Sequence, residues 1–134
     1  MNHEEALVKA FFEPSKRERY LEMLANPKKR KKFLRELPHF KSLDPRRCFT
    51  LPKGVHTAKE IAAFLNSKGA PQSCRVISEN PQLDGREMLL LDALKEVVGY
   101  QMGTLISCVP GSLAYFEDEE DRFILESRKT IPND

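Results

Sequence analysis

The chain changes its hydrophobic pattern once, near Arg47, and that change limits the folds open to it. Before it, apolar residues recur at helical spacing and prolines interrupt them. After it, short strand-like runs alternate with helical segments. In the first part, Leu7, Val8, Phe11 and Phe12 make one stripe over Glu4 to Phe12, which Pro14 closes. Ser15 and Glu18 have capping-box spacing and predict a second helix, with Tyr20, Leu21 and Leu24 on its buried side. Asn26-Pro27 marks a third start, because Asn caps and Pro has no donor to leave unpaired in the first turn. That helix is expected from Pro27 to about Leu37, with Phe33, Leu34 and Leu37 facing inward and Pro38 ending it.

In the second part, Arg47 to Leu51 reads as a strand. Thr57 and Glu60 form another capping box, Ile61, Phe64 and Leu65 mark an amphipathic helix, and Gly69 is placed to end it. Cys74 to Ser78 reads as the next strand. A further helix is expected from Asp84. Asp84 and Glu87 have cap spacing, Leu83 and Met88 sit at staple positions, and Leu90, Leu91, Leu94, Val97 and Val98 form a broad stripe. The tail predicts an antiparallel meander over Thr104–Cys108, Leu113–Phe116 and Arg122–Glu126, with Pro110-Gly111 in its first turn. The expected architecture is one α/β or α+β domain over 1–134, with a helical layer at 1–38 and a mixed-sheet core at 47–127. In that core a βαβα segment precedes the meander.

Charge follows the same division. Residues 1–60 carry 15 Lys/Arg against 8 Asp/Glu, and residues 61–134 carry 7 against 12. The positive part centres on Lys28, Lys29, Arg30, Lys31, Lys32 and Arg35, followed by Arg46 and Arg47. Such a helix concentrates positive potential on a rigid element and suits a polyanion: DNA or RNA first, otherwise an acidic protein surface. Arg grips phosphate in a planar fork, and Lys acts as a mobile point charge. These contacts position a nucleic-acid backbone and do not read its sequence. Tyr20, Phe33, Phe40 and Phe49 are candidates to stack bases beside them. The acidic run Glu117 to Asp121 raises self-association, basic front to acidic back, as another expectation. The bland reading of the basic run is a solvated face with local pairs such as Lys32 to Glu36.

No run of apolar residues is long enough to span a bilayer, and the start of the sequence has no signal-like pattern, so a cytoplasmic protein without a membrane partner is expected. Cys48, Cys74 and Cys108 lack the paired spacing of metal or redox motifs, and an odd count does not close a disulfide framework. No metal site or resident cofactor is expected. Two weaker patterns support a small enzyme acting on an anionic substrate. Ser78, Glu79, Asn80 and Asp84 follow a strand and can converge at its end, where ligands bind in α/β layers, with Mg²⁺ between the carboxylates as the one cofactor that reading admits. Cys108 lies at a tight turn and would need a base such as His56 to act as a nucleophile. A regulatory module that binds protein through its helical layer is the remaining alternative. The preferred expectation is a noncatalytic binding protein using the basic helix.

Overall fold

Alternation along the C-terminal strands decides the architecture. In β4 (Thr104–Val109) and β5 (Leu113–Glu117) nearly every residue is buried, yet successive side chains enter different cores. Leu105, Ala114 and Phe116 pack on one face of the sheet, and Ile106, Cys108, Leu113 and Tyr115 on the other. A strand covered on both faces must be apolar throughout, and period two then assigns its residues to two layers.

The computed structural model describes residues 2–127. Three helices, α1 (His3–Phe11), α2 (Arg17–Ala25) and α3 (Pro27–Glu36), cover one face. Then come β1 (Cys48–Thr50), α4 (Ala58–Ser67), β2 (Ser73–Ser78), β3 (Glu87–Leu89) and α5 (Leu90–Val97), and after these β4, β5 and β6 (Arg122–Glu126). Helices α4 and α5 cover the opposite face, so the sheet lies between two helical layers. The expected α/β architecture is present: N-terminal helices, a central βαβ arrangement and a C-terminal antiparallel meander. The strand order is β1-β6-β5-β4-β2-β3 and each neighbouring pair is antiparallel. Strands β1 and β2, joined through α4, point the same way but have three strands between them.

Local signals explain most boundaries. Asn2 caps α1 through Glu5 N, and Asn26 caps α3 through Lys28 N and Lys29 N with Pro27 in the first turn. The Thr57–Glu60 capping box is formed in both directions. Helix α4 ends in a Schellman turn: Gly69, at φ +102°, donates to Asn66 O, and Ala70 donates to Leu65 O. The Ser15–Glu18 box is not formed. Pro14–Lys16 make a 3₁₀ turn instead, and α2 starts at Arg17 without a side-chain cap.

The helix expected from Asp84 starts six residues later. Gly85 takes φ +77° and its N–H donates to Val76 O, which turns the chain back along β2. Residues 87–89 then pair with Arg75, Cys74 and Ser73, and α5 begins at Leu90. Edge-strand pairing overrides a capping pattern that is only local.

Two polar and aromatic clusters fix the layers. Phe12, Tyr20, Phe33 and Phe40 form a four-ring cluster in which all six centroid separations lie between 5.0 and 6.1 Å. Such pairs add about 0.5–1.5 kcal/mol each beyond area burial. On the other face, the fully buried Glu117 carboxylate accepts from Tyr115 Oη at 2.7 Å, from Gly99 N and from Gln101 N, and meets Arg122 Nε at 3.5 Å. Gln101 has φ +59°, so the loop from α5 to β4 is held in a conformation its side chain disfavours. Replacing Glu117 by Gln turns an amide toward backbone donors and takes the carboxylate away from Arg122. We expect Glu117→Gln to lower the unfolding free energy by about 2–3 kcal/mol in a urea titration. An unchanged midpoint would show that the loop is held by something else.

Candidate functional site

Helix α3 divides its cations between two jobs. Arg30 turns inward. Its Nη1 donates to Glu4 Oε1 at 2.6 Å, its Nε to Asp84 Oδ2 at 2.9 Å, and its Nη2 to both carboxylates at 2.9–3.0 Å. Its side chain is only 18% exposed. The Asp84 hydrogen bond is the main reason its guanidinium holds its proton more tightly than a free one. Arg75 also reaches Glu4 at 3.3 Å. Lys29 pairs with Glu22.

Lys28, Lys31, Lys32 and Arg35 are exposed, and among the described residues no carboxylate lies within ion-pair distance of them. Successive helical residues turn by roughly 100°, which places these four within an arc of about 100°. Phe33 and Leu37, buried against the core, lie opposite.

Arg46 and Arg47 do not join that arc. They sit on the 3₁₀ turn Pro45–Arg47 leading into β1. Arg46 binds Asp44, and that hydrogen bond outweighs burial, which acts the other way, and sets the carboxyl below its ordinary range. Arg47 Nη1 donates to Ser127 O at 2.7 Å, and its Nε is buried without a partner.

The strand-end residues lie beside α3, but as structure. Ser78 is buried, shares a hydrogen bond with Thr104 Oγ1 at 2.8 Å and accepts from Asn80 N. Asp84 uses both oxygens on Arg30 and accepts from Ser78 N at 3.1 Å. Glu79 Oε2 accepts from Gly103 N at 2.7 Å, and Asn80 Oδ1 from Gln82 N. Gly103 passes so close to Leu37 that a Cβ would lie 2.4 Å from its carbonyl carbon, which seats the loop against the end of α3. Asp84 is therefore neither a helix cap nor an open metal ligand. Among the described residues, no group of three His, Cys, Asp or Glu side chains is arranged to hold a metal ion.

Between α3 and this loop runs an open groove of about 770 Å³. Its lining includes Pro27, Leu34, Pro38 and Pro81, with Lys31 and Arg35 from the cationic arc and the engaged Glu79, Arg30 and Asp84. The two sets of residues that the sequence separates by some forty positions thus line one groove from its two sides. A smaller apolar hollow of about 380 Å³, between α4 and the start of α5, has Lys59 as its one cation.

Cys108, the candidate nucleophile, is 1% exposed, and burial pushes its thiol far up. Burial also raises Cys48 and Cys74 to about 11 each. His56 is exposed, and its carbonyl accepts from Arg122. Tyr20, Phe33 and Phe40 are enclosed in the ring cluster and present no face to a base, while Phe49 is half exposed on β1. Sequence spacing missed one pair: His3 Nδ1 lies 2.7 Å from Ser107 Oγ. Ser107 is 2% exposed, so the pair ties α1 to β4 rather than presenting a nucleophile. Its members are 104 residues apart, and no local pattern links them.

Among the described residues, no helix is long and apolar enough to cross a membrane.

Two outcomes follow from these contacts. Removing the guanidinium leaves Asp84 partly buried without a cation and Glu4 with Arg75 alone, so Arg30→Met is expected to cost about 2–3 kcal/mol of stability by urea unfolding. Equal stability would return Arg30 to the exposed set. Burial, the largest influence, holds the His3 pKa below its ordinary 6.5, partly countered by Glu87 and reinforced by Arg75. The folded state then binds fewer protons than the unfolded chain, so His3's contribution is present above pH 6.5 and is lost as pH falls through that value toward the folded pKa. His3→Gln should flatten the decline of Tm in that window. Parallel Tm curves would separate His3 from acid sensitivity.

Comparison with models of known protein families, with curated proteins and with solved structures finds no match for this chain.

Proposed function

We propose that this protein is a noncatalytic binding module that takes a polyanionic partner on the outer face of α3. The observation that carries this reading is the arc of Lys28, Lys31, Lys32 and Arg35, four exposed cations on one rigid helix with no carboxylate partner among the described residues. On binding, such cations displace counterions condensed on the polyanion, with a gain in entropy. The arc is narrower than the full basic run. Arg30, Lys29 and Arg46 are committed to carboxylates, and Arg47 to the end of β6. Nucleic acid is the first polyanion to test, held by its phosphates and without base stacking. Enzymatic readings have less support, since the candidate thiol is enclosed and both strand-end carboxylates are engaged.

The test uses a short fluorescent single-stranded oligonucleotide and the full chain, read by anisotropy across a salt series. With all four cations engaged, log affinity should fall against log salt with a slope of about −3. The variant Lys28→Glu/Lys31→Glu/Lys32→Glu/Arg35→Glu replaces only exposed side chains and should retain the wild-type circular dichroism while losing binding. Affinity that survives this reversal removes the case for α3.

A further inference from the structure

We infer that the groove beside α3 selects an acidic protein segment carrying large apolar side chains, so that the partner is a peptide rather than a nucleic acid. This rests on the polyanion reading above and adds the class of partner.

The groove and the arc share Lys31 and Arg35. On one side of those cations lie Lys28 and Lys32, which attract anions. On the other lie Pro27, Leu34, Pro38 and Pro81, which attract apolar groups. A ligand that satisfies both must alternate charge with hydrocarbon. An acidic segment with interspersed Phe or Leu does so, placing carboxylates over the arc and rings in the groove. A volume of about 770 Å³ accommodates more than one such side chain.

A nucleic-acid strand fits less well, for three reasons. Its charge repeats at every nucleotide, and the groove wall bears Glu79. Of the two arginines in the groove lining, Arg30 is already held by Asp84 and Glu4, so only the Arg35 fork is open to a phosphate. Base stacking would add affinity only on an aromatic platform, yet among the described residues no aromatic side chain lines the groove, and the three rings nearest in sequence are buried.

A second copy is a poorer occupant. The acidic turn after β5 is partly used within its own chain, with Glu119 on His39 and Glu120 on Lys41. Asp118 is buried, accepting from Glu120 N and Asp121 N.

The experiment uses the full chain and three fluorescent probes of equal net charge: an acidic peptide containing two Phe, the same peptide with Ser in their place, and a single-stranded oligonucleotide. The Phe peptide should bind roughly tenfold tighter than either other probe, as one well-buried ring would give. Its affinity should also depend less on salt. Pro81 is exposed, so Pro81→Asp should fold normally and cancel the advantage of the Phe peptide over the Ser peptide. A matching thermal melt checks that fold. Equal affinity for the two peptides overturns the inference and leaves the polyanion reading standing. Tighter binding of the oligonucleotide does the same. Binding of none of the three removes both. Dimers in sedimentation that disappear when Glu119 and Glu120 are changed to Lys would make a second copy the occupant and also overturn it.

Discussion

The ion network of Glu4, Arg30 and Asp84 fixes how the helical layer meets the sheet. Apolar contact alone is non-directional and leaves α1 and α3 free to slide over the face they cover. A guanidinium between two carboxylates supplies direction, because its donors form a fork with fixed geometry. Its partners come from 26 and 54 residues away, so one side chain orients two helices and the loop after β2. Asp84 extends the tie by accepting from Ser78 N at the end of the strand. With Arg30 turned inward, rotation about the axis of α3 is set, and the outward face of the helix follows from it. The groove is a consequence: its two walls are the elements this network joins.

Much of the fold was legible. The elements with self-contained signals, such as the Asn26-Pro27 start, the Thr57–Glu60 box, the Gly69 stop and the three tail strands, lie within a residue or two of their expected bounds. The failures share one cause. Ser15–Glu18 and Asp84–Glu87 have cap spacing, but cap energies are of order 1 kcal/mol, and a 3₁₀ turn or an edge-strand pairing outweighs them. The arrangement of neighbours in the sheet was hidden for a different reason. Continuous apolar strands signal cover on both faces, and parallel sheets commonly meet that condition, but so does an antiparallel sheet between two helical layers.

The site was legible only as residue types. The basic helix and the strand-end polar cluster could each be picked out, but not that they share a groove, since that depends on Arg30 bridging 54 residues. Half-chain charge also overstated both poles. Of eight basic candidates, four are exposed with no carboxylate partner among the described residues. At the acidic end, Glu117 and Asp118 are buried, and His39 and Lys41 meet two of the others. Pairing across the fold, invisible to composition, decides which charges stay exposed and uncompensated.

What remains on α3 is costly to the protein itself. Lys28 and Lys32 stand four residues apart, as do Lys31 and Arg35, and like charges at that spacing repel by about 0.2–0.5 kcal/mol per pair. Lys28 also lies in the first turn, where the helix dipole disfavours a cation. The same helix shows that relief is available: Lys29 has Glu22, and Arg30 has two carboxylates. A Glu at any of the four exposed positions would pair with a neighbour and leave the core untouched, because none of these side chains packs in it. An outer face that serves only as solvated surface has no physical need to forgo that relief. A face that meets an anion does, because an internal carboxylate would compete with the partner for the same cations.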